Sequence, residues 1–274
     1  MEPEPRIVGH GLTAIVTTVD DKTVLKGYEV WSKGKLRAKC GEPSEDRLVR
    51  EDIVYQHLGH HPFILQSFGL KEVRPGVHSL CLEMAPLGCI RLHTQSTLSP
   101  VNLLLPKLPD PPLNARLQMA LDAARALSYV HSRGVLTCDF SYRKIFLFPD
   151  FRIKLGDFGG ALLQGHSFKN DQNYEGRYQL PLRGRDFDDL DMVKQELFAL
   201  GVVIYEITMW RRPFDDLSED SCGVDVRYAR EEFPLLEPDN PVRDVIKGCW
   251  MDRFDRAGQV VDGLERCLRI SENN

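Results

Sequence analysis

The sequence lacks any apolar run that approaches the ~20 residues a membrane-spanning helix needs, so we expect no membrane segment. It also lacks a basic surplus, because 40 acidic residues outnumber 35 lysines and arginines and give a formal net charge of −5. Nucleic-acid-binding domains usually carry a basic excess, so we expect no nucleic-acid partner. The opening residues, Met-Glu-Pro-Glu-Pro, lack the basic and apolar regions of a secretory signal peptide.

Closely spaced cysteine pairs are also missing. The sequence has no Cys-x-x-Cys motif, and its seven cysteines are scattered over positions 40, 81, 89, 138, 222, 249 and 267. An odd, dispersed set is typical of free thiols in a reducing compartment rather than of a disulfide framework. The sequence therefore predicts a cytoplasmic or nuclear protein.

The composition that remains is ordinary for a soluble globular chain, with 42% hydrophobic and 27% charged residues. A length of 274 residues is enough to bury a substantial core, as one two-lobed unit or as two small domains.

The first part of the chain is predicted to be rich in strands. Residues 6–26 alternate between apolar and polar positions, with a turn at residues 20–22, and residues 63–70 and 77–84 form two further strands. One helix is predicted over residues 47–58. Residues 27–46 are polar, with little apolar periodicity, and are predicted to form a loop or an insertion.

After Met84 the pattern becomes helical. Residues 99–112 contain five prolines and are predicted to be a surface connection. Apolar residues at helical spacing then predict helices over residues 116–132, 190–210, 242–250 and 258–270. We place the division between the two parts near Pro86.

Two carboxylates carry the clearest chemical signal. Asp139 and Asp157 each close an apolar run, lie 18 positions apart, and stand in the segments GVLTCDFSYRK and IKLGDFG. Phosphoryl transfer from a nucleotide requires one group that orients the attacking hydroxyl and another that holds the metal on the phosphates. Asp-Phe-Gly alone is equally typical of a turn after a strand, so the order of the two segments decides the interpretation.

A glycine pair precedes this site in the chain. Residues 9–16 read GHGLTAIV, in which Gly9 and Gly11 would let a hairpin approach phosphate oxygens without a Cβ atom in the way, and Val16 closes the pattern. The alternative is an ordinary Gly-x-Gly turn.

A lysine and a glutamate have the spacing of a phosphate-binding pair. Lys26 follows the next strand, and Glu51 lies 25 positions later on the predicted helix. Lys39 is a competitor, but it lies in the polar insertion and only 12 positions before Glu51, so we favour Lys26. The alternative for either lysine is a solvated surface position.

The segment from Leu80 to Gly88 runs from an apolar strand straight into a connector. Backbone groups of Glu83 and Ala85 could hydrogen-bond an adenine edge there, with Leu82 screening the pocket behind. Taken alone, the segment would also suit a simple strand end.

In their order, these elements resemble a eukaryotic protein-kinase domain: glycine loop, strand lysine, helix glutamate, hinge, catalytic loop and Asp-Phe-Gly. The likeness continues through residues 196–206 (ELFALGVVIYE), 212–214 (RPF) and 247–250 (KGCW), and it covers roughly residues 6–270. The details are similar to small, divergent kinase-like proteins of fungi. The resemblance implies an α+β, two-lobed protein-kinase-like fold, with a β-rich N-lobe at residues 1–85 and a helical C-lobe at residues 86–274.

The resemblance also implies roles. Asp139 would orient the substrate hydroxyl or act as the base, Lys26 would contact the phosphates, and Glu51 would anchor that lysine. Asp157 would hold Mg²⁺, and Phe158 would pack beneath the helix. The implied nucleotide-binding set is Gly9, Gly11, Val16, Lys26, Leu82, Glu83, Ala85, Phe146 beneath the adenine ring, and Asp157.

Five sites depart from the kinase pattern: Thr137-Cys138 for His-Arg, Ser141 for lysine, Lys144 for asparagine, Pro181-Leu182 for Pro-Glu, and Glu196 for the helix aspartate that supports the catalytic loop. Without that arginine, activity is expected to depend less on a phosphate in the activation segment, residues 160–181. An ammonium cannot ligate a cation. Lys144 therefore implies either the loss of a second metal or a charge that partly replaces it, and an ion pair with Asp157 could displace the metal.

The expected function is an ATP-dependent protein kinase that uses Mg²⁺ and acts on Ser/Thr hydroxyls of protein substrates. The alternative is a pseudokinase, an interaction module whose protein partners read its conformation. Small-molecule kinases share the fold but lack the Arg-Pro-Phe and Cys-Trp elements present here. Arg143 lies where tyrosine-directed kinases often have arginine, and the lysine typical of Ser/Thr kinases is missing. The expectation of Ser/Thr specificity therefore rests only on the greater frequency of Ser/Thr kinases. Ser167 and Tyr174 are candidate phosphorylation sites in the activation segment.

Overall fold

The computed structural model describes residues 6–11, 13–41, 44–94, 108–169, 174–186, 189–217 and 223–272. The predictions for residues 1–5 and 99–107 and for Cys222 lie outside these ranges.

The chain forms eleven strands within the described ranges: β1 (Ile7–His10), β2 (Ile15–Thr18), β3 (Thr23–Gly27), β4 (Glu29–Ser32), β5 (Lys35–Lys39), β6 (Ser67–Arg74), β7 (Val77–Glu83), β8 (Val135–Leu136), β9 (Ile145–Leu147), β10 (Ile153–Leu155) and β11 (Leu162–Leu163). The helices are α1 (Ser44–Leu58), α2 (Arg91–Thr94), α3 (Leu113–Ser132), α4 (Met192–Met209), α5 (Gly223–Ala229), α6 (Arg243–Trp250) and α7 (Ala257–Glu272).

The N-terminal part is built on a five-stranded antiparallel sheet in the order β1-β2-β3-β7-β6, with α1 packed against it. The C-terminal part is mainly helical, and its two small strand pairs, β8–β11 and β9–β10, carry the segments around the two aspartates. The α+β, two-lobed protein-kinase-like fold expected from the sequence is therefore confirmed. The division near Pro86 falls between β7 and α2, although its position stays a prediction.

The prediction of a loop over residues 27–46 was wrong, because β4 and β5 form a hairpin there and α1 begins at residue 44. The hairpin has few apolar residues, but they are well placed. Val30 and Cys40 are buried with Ile15 in a small cluster of their own, and the guanidinium of Arg74 lies 3.7 Å from the ring centroid of Trp31. These contacts come from other strands, so local periodicity does not reveal them.

The strand predicted over residues 63–70 begins later, at Ser67. Residues 63–65 are instead tied to the C-terminal part. The Leu65 N–H donates to the Leu155 carbonyl, and the Leu155 N–H donates to the Phe63 carbonyl, both at 2.8 Å. This exchange joins the two parts of the chain directly behind the Asp157 segment.

The long helices follow the predicted spacing closely. Helices α3, α4, α6 and α7 each begin and end within three residues of the prediction, whereas the short helices α2 and α5 were not predicted. Helix α4 is apolar on most sides and lies in the main core, packed against α3 and α6. In the part of the chain that the structure describes, no helix is both long and apolar enough to cross a membrane.

Two helical glycines differ in the space around them, which gives a test of the core packing. A Cβ atom on Gly201 would lie 2.5 Å from Cys249 Cβ, whereas one on Gly258 would lie 3.7 Å from its nearest neighbour, Ser128 Oγ. We expect Gly201→Ala to lower the free energy of unfolding by about 1–3 kcal/mol through overpacking. Gly258→Ala should raise it by about 0.5–1 kcal/mol, since alanine favours a helix. Urea denaturation of both variants checks this, and equal effects would contradict the packing of α4 on α6.

Candidate active site

A partly buried lysine joins three separate elements of the fold. Lys26 lies on β3, Glu51 on α1, and Asp157 follows β10. The Lys26 ammonium is 2.6 Å from Glu51 Oε2 and 2.5 Å from Asp157 Oδ1. Burial by itself would lower the pKa of Lys26, but the charges of Asp157 and Glu51 outweigh it and raise that pKa. The competitor Lys39 is far more exposed and pairs with Glu29 on the β4–β5 hairpin, so the geometry favours Lys26.

The Asp-Phe-Gly segment is fastened to helix α1. Asp157 has a φ of 65°, a left-handed conformation that a non-glycine residue keeps only when its surroundings hold it. Its N–H donates to the Tyr55 hydroxyl at 3.3 Å, and the Phe158 N–H donates to Glu51 Oε1 at 3.2 Å. Phe158 is fully buried, with its ring edge-on to Tyr55. The segment therefore holds the Asp157 carboxylate toward Lys26, with Phe158 beneath the helix.

Lys144 lies between the two aspartates. Its ammonium is 3.1 Å from Asp139 Oδ2 and 3.2 Å from Asp157 Oδ2, and it also donates to the Asp157 carbonyl at 3.1 Å. The side chain of Lys144 is only 8% exposed. Burial alone would raise the pKa of Asp157, but the charges of Lys144 and Lys26 hold it well below its usual value. The ion pair considered from the sequence is therefore present, and it bridges both carboxylates.

Asp139 retains one open acceptor. Its Oδ2 contacts Lys144, whereas its buried Oδ1 has no hydrogen-bond donor among the residues that the structure describes. The nearest cation to Oδ1, the Arg143 guanidinium, is 3.7 Å away, too far for a hydrogen bond. Burial is the largest effect on the pKa of Asp139 and raises it, against the opposing charges of Lys144 and Arg143. Oδ1 is thus an acceptor that no described side chain satisfies, and a hydroxyl that reached it could donate to it.

The glycine loop lies at the edge of the sheet. Gly9 on β1 pairs with Val16 on β2, and the Gly11 N–H donates to the Ala14 carbonyl at 2.8 Å to close the turn. Val16 is in turn opposite Lys26 on β3. The register therefore places the predicted loop and the predicted lysine on adjoining strands.

The predicted hinge follows β7. Leu82 is buried, and Ala85 is half-buried beyond the strand end. The Glu83 N–H donates to the Gln66 carbonyl, and the Glu83 carboxylate pairs with Lys154 at 2.7 Å. The Glu83 carbonyl oxygen is therefore its candidate adenine contact, rather than its N–H or its side chain.

The half-buried Phe146 lies on β9 opposite Lys154 on β10. It also approaches Gly156 closely, because a Cβ atom on that glycine would lie 3.1 Å from the Phe146 ring. Phe146 therefore lies on the strand pair that leads into Asp157, and its predicted place beneath the adenine ring stays a prediction.

Glu196 supports the catalytic loop despite replacing an aspartate. Its fully buried carboxylate accepts from the Thr137 hydroxyl at 2.6 Å, from the Cys138 N–H at 2.7 Å, and lies 2.6 Å from His131 Nε2. Cys138 has a φ of 58°, so its backbone needs such an anchor. The departures at residues 137, 138 and 196 therefore fit together, because Glu196 still anchors the catalytic loop.

The end of the activation segment is fixed by a carboxylate that the sequence analysis did not identify. Glu175 contacts Arg212 directly, lies 3.5 Å from Arg177 Nη1, and lies 3.8 Å from Arg143 Nη2. A negative charge among three guanidinium groups is what a phosphate would otherwise supply. No spacing along the sequence marks Glu175, because these contacts depend on the tertiary fold.

The two candidate phosphorylation sites differ in their surroundings. Ser167 is exposed, whereas the Tyr174 hydroxyl donates to buried Glu196 at 3.3 Å. A phosphate on Tyr174 would therefore face the Glu196 carboxylate and lose this contact. The geometry favours Ser167 of the two, and modification at either position stays a prediction.

Removing the Glu196 anchor should destabilise the fold. Glu196→Ala would leave the buried Cys138 N–H and Thr137 hydroxyl without an acceptor, so we expect the free energy of unfolding to fall by about 2–4 kcal/mol. The matched control is Glu265→Ala, which removes a partly exposed pair with Arg125 and should cost less than about 1 kcal/mol. Urea denaturation compares them, and equal losses would refute the anchoring role.

Another buried glutamate, Glu206, should make the free energy of unfolding depend on pH. Burial is the largest effect on Glu206 and raises its pKa from 4.5 to about 8, against the 2.6 Å hydrogen bond from Tyr178. The folded state therefore holds a proton that the unfolded state releases between these values. The stabilisation from this group is complete below pH 4.5 and is lost as the pH rises through about 8.

Glu206→Gln should remove that part of the pH dependence, because an amide does not titrate. We expect the free energy of unfolding of the parent protein to fall relative to the variant between pH 5 and 8, by a few kcal/mol at most. Urea denaturation at several pH values measures the difference, and parallel curves would show that Glu206 does not titrate in this range.

Comparison with known proteins identifies the family. The family model for protein tyrosine and serine/threonine kinases matches residues 8–259. The chain is 24% identical over 216 residues to the serine/threonine/tyrosine-protein kinase HT1 of Arabidopsis thaliana, which covers 76% of this chain and 53% of that kinase. It is 27% identical over 259 residues to the serine/threonine-protein kinase LMTK3 of Mus musculus, which covers 87% of this chain and 18% of that kinase.

A probable LIM domain-containing serine/threonine-protein kinase of Dictyostelium discoideum is 26% identical over 218 residues, which covers 78% of this chain and 31% of that protein. The chain thus spans about half, or less, of the length of these relatives, and the particular likeness to fungal proteins stays a prediction. The family model covers most of the chain, whereas the roles of Lys26, Glu51, Asp139 and Asp157 stay predictions. The chain therefore belongs to the protein tyrosine and serine/threonine kinase family.

Proposed function

We propose that this protein is an ATP-dependent protein kinase that transfers the γ-phosphate to Ser/Thr hydroxyls of protein substrates. The observation that carries the proposal is the open acceptor on Asp139. Its Oδ1 is buried without a hydrogen-bond donor among the described residues, and it belongs to the same charged cluster as Lys26, Glu51 and Asp157. A substrate hydroxyl is the kind of group that such an acceptor would orient.

The nucleotide would be held by groups already in place. Lys26 would turn from Asp157 to the phosphates while Glu51 keeps its position, and the backbone at Gly9 and Gly11 would cover the phosphates beside Val16. The adenine would contact the backbone of the hinge. The hinge residues in this proposal are Leu82, Glu83 and Ala85, with Phe146 on the opposite side. Bound ATP supplies the phosphoryl group, and Mg²⁺ neutralises the charge on it.

The residues fit one magnesium ion. Asp157 is 40% exposed and offers a carboxylate, and Mg²⁺ is usually held by one or two carboxylates together with substrate phosphates and water. Within the described ranges, no cluster of three or more histidine, cysteine, aspartate or glutamate side chains could hold a metal by itself. A second ion between Asp139 and Asp157 does not fit, because the Lys144 ammonium lies there.

Support for Ser/Thr specificity comes from the relatives. Two of the three are named serine/threonine kinases, and the third is a serine/threonine/tyrosine kinase. Arg143, at a position typical of tyrosine-directed kinases, lies near Asp139 and Glu175 here and has a structural reason to be present. We also propose that the substrates are proteins. A cytoplasmic or nuclear location is proposed from the scattered cysteines.

A pseudokinase is the second candidate, and Lys144 is the observation that favours it. The ammonium pairs with both aspartates at once and holds them together without a metal. A protein partner could recognise that arrangement with no phosphate transfer. The two candidates differ in whether Asp139 supports turnover.

Substitution of Asp139 tests the kinase proposal. Asp139→Asn keeps the shape of the side chain but removes the acceptor charge, so we expect phosphate transfer to a generic protein and to the kinase itself to fall about 100-fold or more. Nucleotide affinity should change little. The matched control is Asp150→Asn, the same exchange at an exposed turn, which should transfer phosphate at the parent rate.

Radiolabelled ATP measures the transfer, and mass spectrometry identifies the modified residue. Phosphate on serine or threonine supports the full proposal. Phosphate on tyrosine alone would overturn the specificity, and an inactive parent protein would leave the pseudokinase as the better description.

A further inference from the structure

The position of Lys144 decides which charges face a bound nucleotide. Its ammonium contacts one oxygen of Asp139 and one oxygen of Asp157, at 3.1 and 3.2 Å, and it donates to the Asp157 carbonyl. The side chain is buried on the short helical turn Tyr142–Lys144 that leads into β9. A cation is therefore built into the chain between the two carboxylates.

The Lys144 backbone holds this cation in place. The Lys144 N–H donates to the Ser141 carbonyl at 2.9 Å, and the Lys144 carbonyl accepts from the Gly156 N–H at 3.0 Å. The second bond ties the turn to the residue before Asp157. These bonds fix the backbone from which the Lys144 side chain reaches the two aspartates, next to the β9–β10 pair.

We propose that the Lys144 ammonium acts as a fixed cation in place of a second metal ion, so that the cleft binds ATP even when divalent ions are removed. The inference rests on the proposed nucleotide-binding function. Kinases with the two-metal pattern have an asparagine at this position as a metal ligand. This chain instead has the Lys144 ammonium between Asp139 and Asp157.

The charges around Asp139 and Asp157 explain why Lys144 should have a large effect on metal-free nucleotide binding. A triphosphate would approach two carboxylates, Asp139 and Asp157, and without a cation between them it would be repelled. In the parent protein, Lys144 on one side of Asp157 and Lys26 on the other offset this repulsion. Lys144→Asn removes one positive charge a few ångströms from the phosphates, which should weaken metal-free binding by about 100-fold or more.

The experiment compares two proteins in two buffers. Binding of the non-hydrolysable analogue AMP-PNP is measured by isothermal titration calorimetry, for the parent and for Lys144→Asn, with excess MgCl₂ or with EDTA. We expect the parent affinity to fall less than about tenfold in EDTA, because its second cation is part of the chain. Lys144→Asn should bind well with MgCl₂, since the amide oxygen is a metal ligand, and should lose nearly all binding in EDTA.

Three controls keep the result interpretable. Lys71→Asn makes the same charge change on an exposed position of β6, and it should bind as the parent does in both buffers. Lys144→Arg keeps the charge and should retain binding in EDTA. Lys144→Met keeps much of the side-chain volume without the charge and should behave as Lys144→Asn does in EDTA. Thermal unfolding without nucleotide confirms that each variant is folded.

The outcomes separate this inference from the proposed function. A parent protein that binds AMP-PNP only with MgCl₂, with the same dependence in Lys144→Asn, overturns the role of Lys144 and leaves the kinase proposal standing. A parent protein that binds no nucleotide in either buffer overturns both. Metal-free binding in the parent that is lost in Lys144→Asn and Lys144→Met and kept in Lys144→Arg establishes the inference, whether or not the bound nucleotide is turned over.

Discussion

The contact between Lys26 and its two carboxylates is the constraint on which the site depends. A buried ammonium without partners would cost several kcal/mol, so Glu51 on α1 and Asp157 after β10 must both stay close to β3. The left-handed backbone at Asp157 goes with the same pairing, since in this conformation its carboxylate meets the lysine while Phe158 is buried. The sheet, the helix and the C-terminal part are thus joined through one cation.

Lys144 extends this cluster to the catalytic loop. Two ammonium groups, Lys26 and Lys144, now face three carboxylates, on Glu51, Asp139 and Asp157. Two positive charges against three negative ones leave a net charge of −1, so most of the negative charge is offset without a metal ion. An asparagine at position 144 would leave the aspartates facing each other with no cation between them. Lysine at position 144 therefore supplies from the chain itself a positive charge between the two aspartates. Asp139 Oδ1 still has no hydrogen-bond donor among the described residues.

The sequence predicted those parts of the molecule that rest on local pattern or on motif order. Helices α3 and α4 follow from apolar residues at helical spacing, and the pairing of Lys26 with Glu51 follows from the order of the kinase motifs. The β4–β5 hairpin was missed because its support, the contact of Trp31 with Arg74, comes from another strand, 43 positions along the chain. Glu175 was missed for the same reason, since its guanidinium partners lie on three different segments.

The departures from the kinase pattern differ in what they change. At position 196 a longer side chain still reaches the Cys138 N–H, and at the activation segment Glu175 supplies a charge that a phosphate would otherwise bring. Both features preserve an interaction with different atoms, away from the place where phosphate would be transferred. Lys144 changes the charge at that place, because its ammonium contacts both Asp139 and Asp157. A working kinase and a nucleotide-reading partner therefore differ in whether a triphosphate held beside this fixed positive charge transfers its phosphate with the help of Asp139.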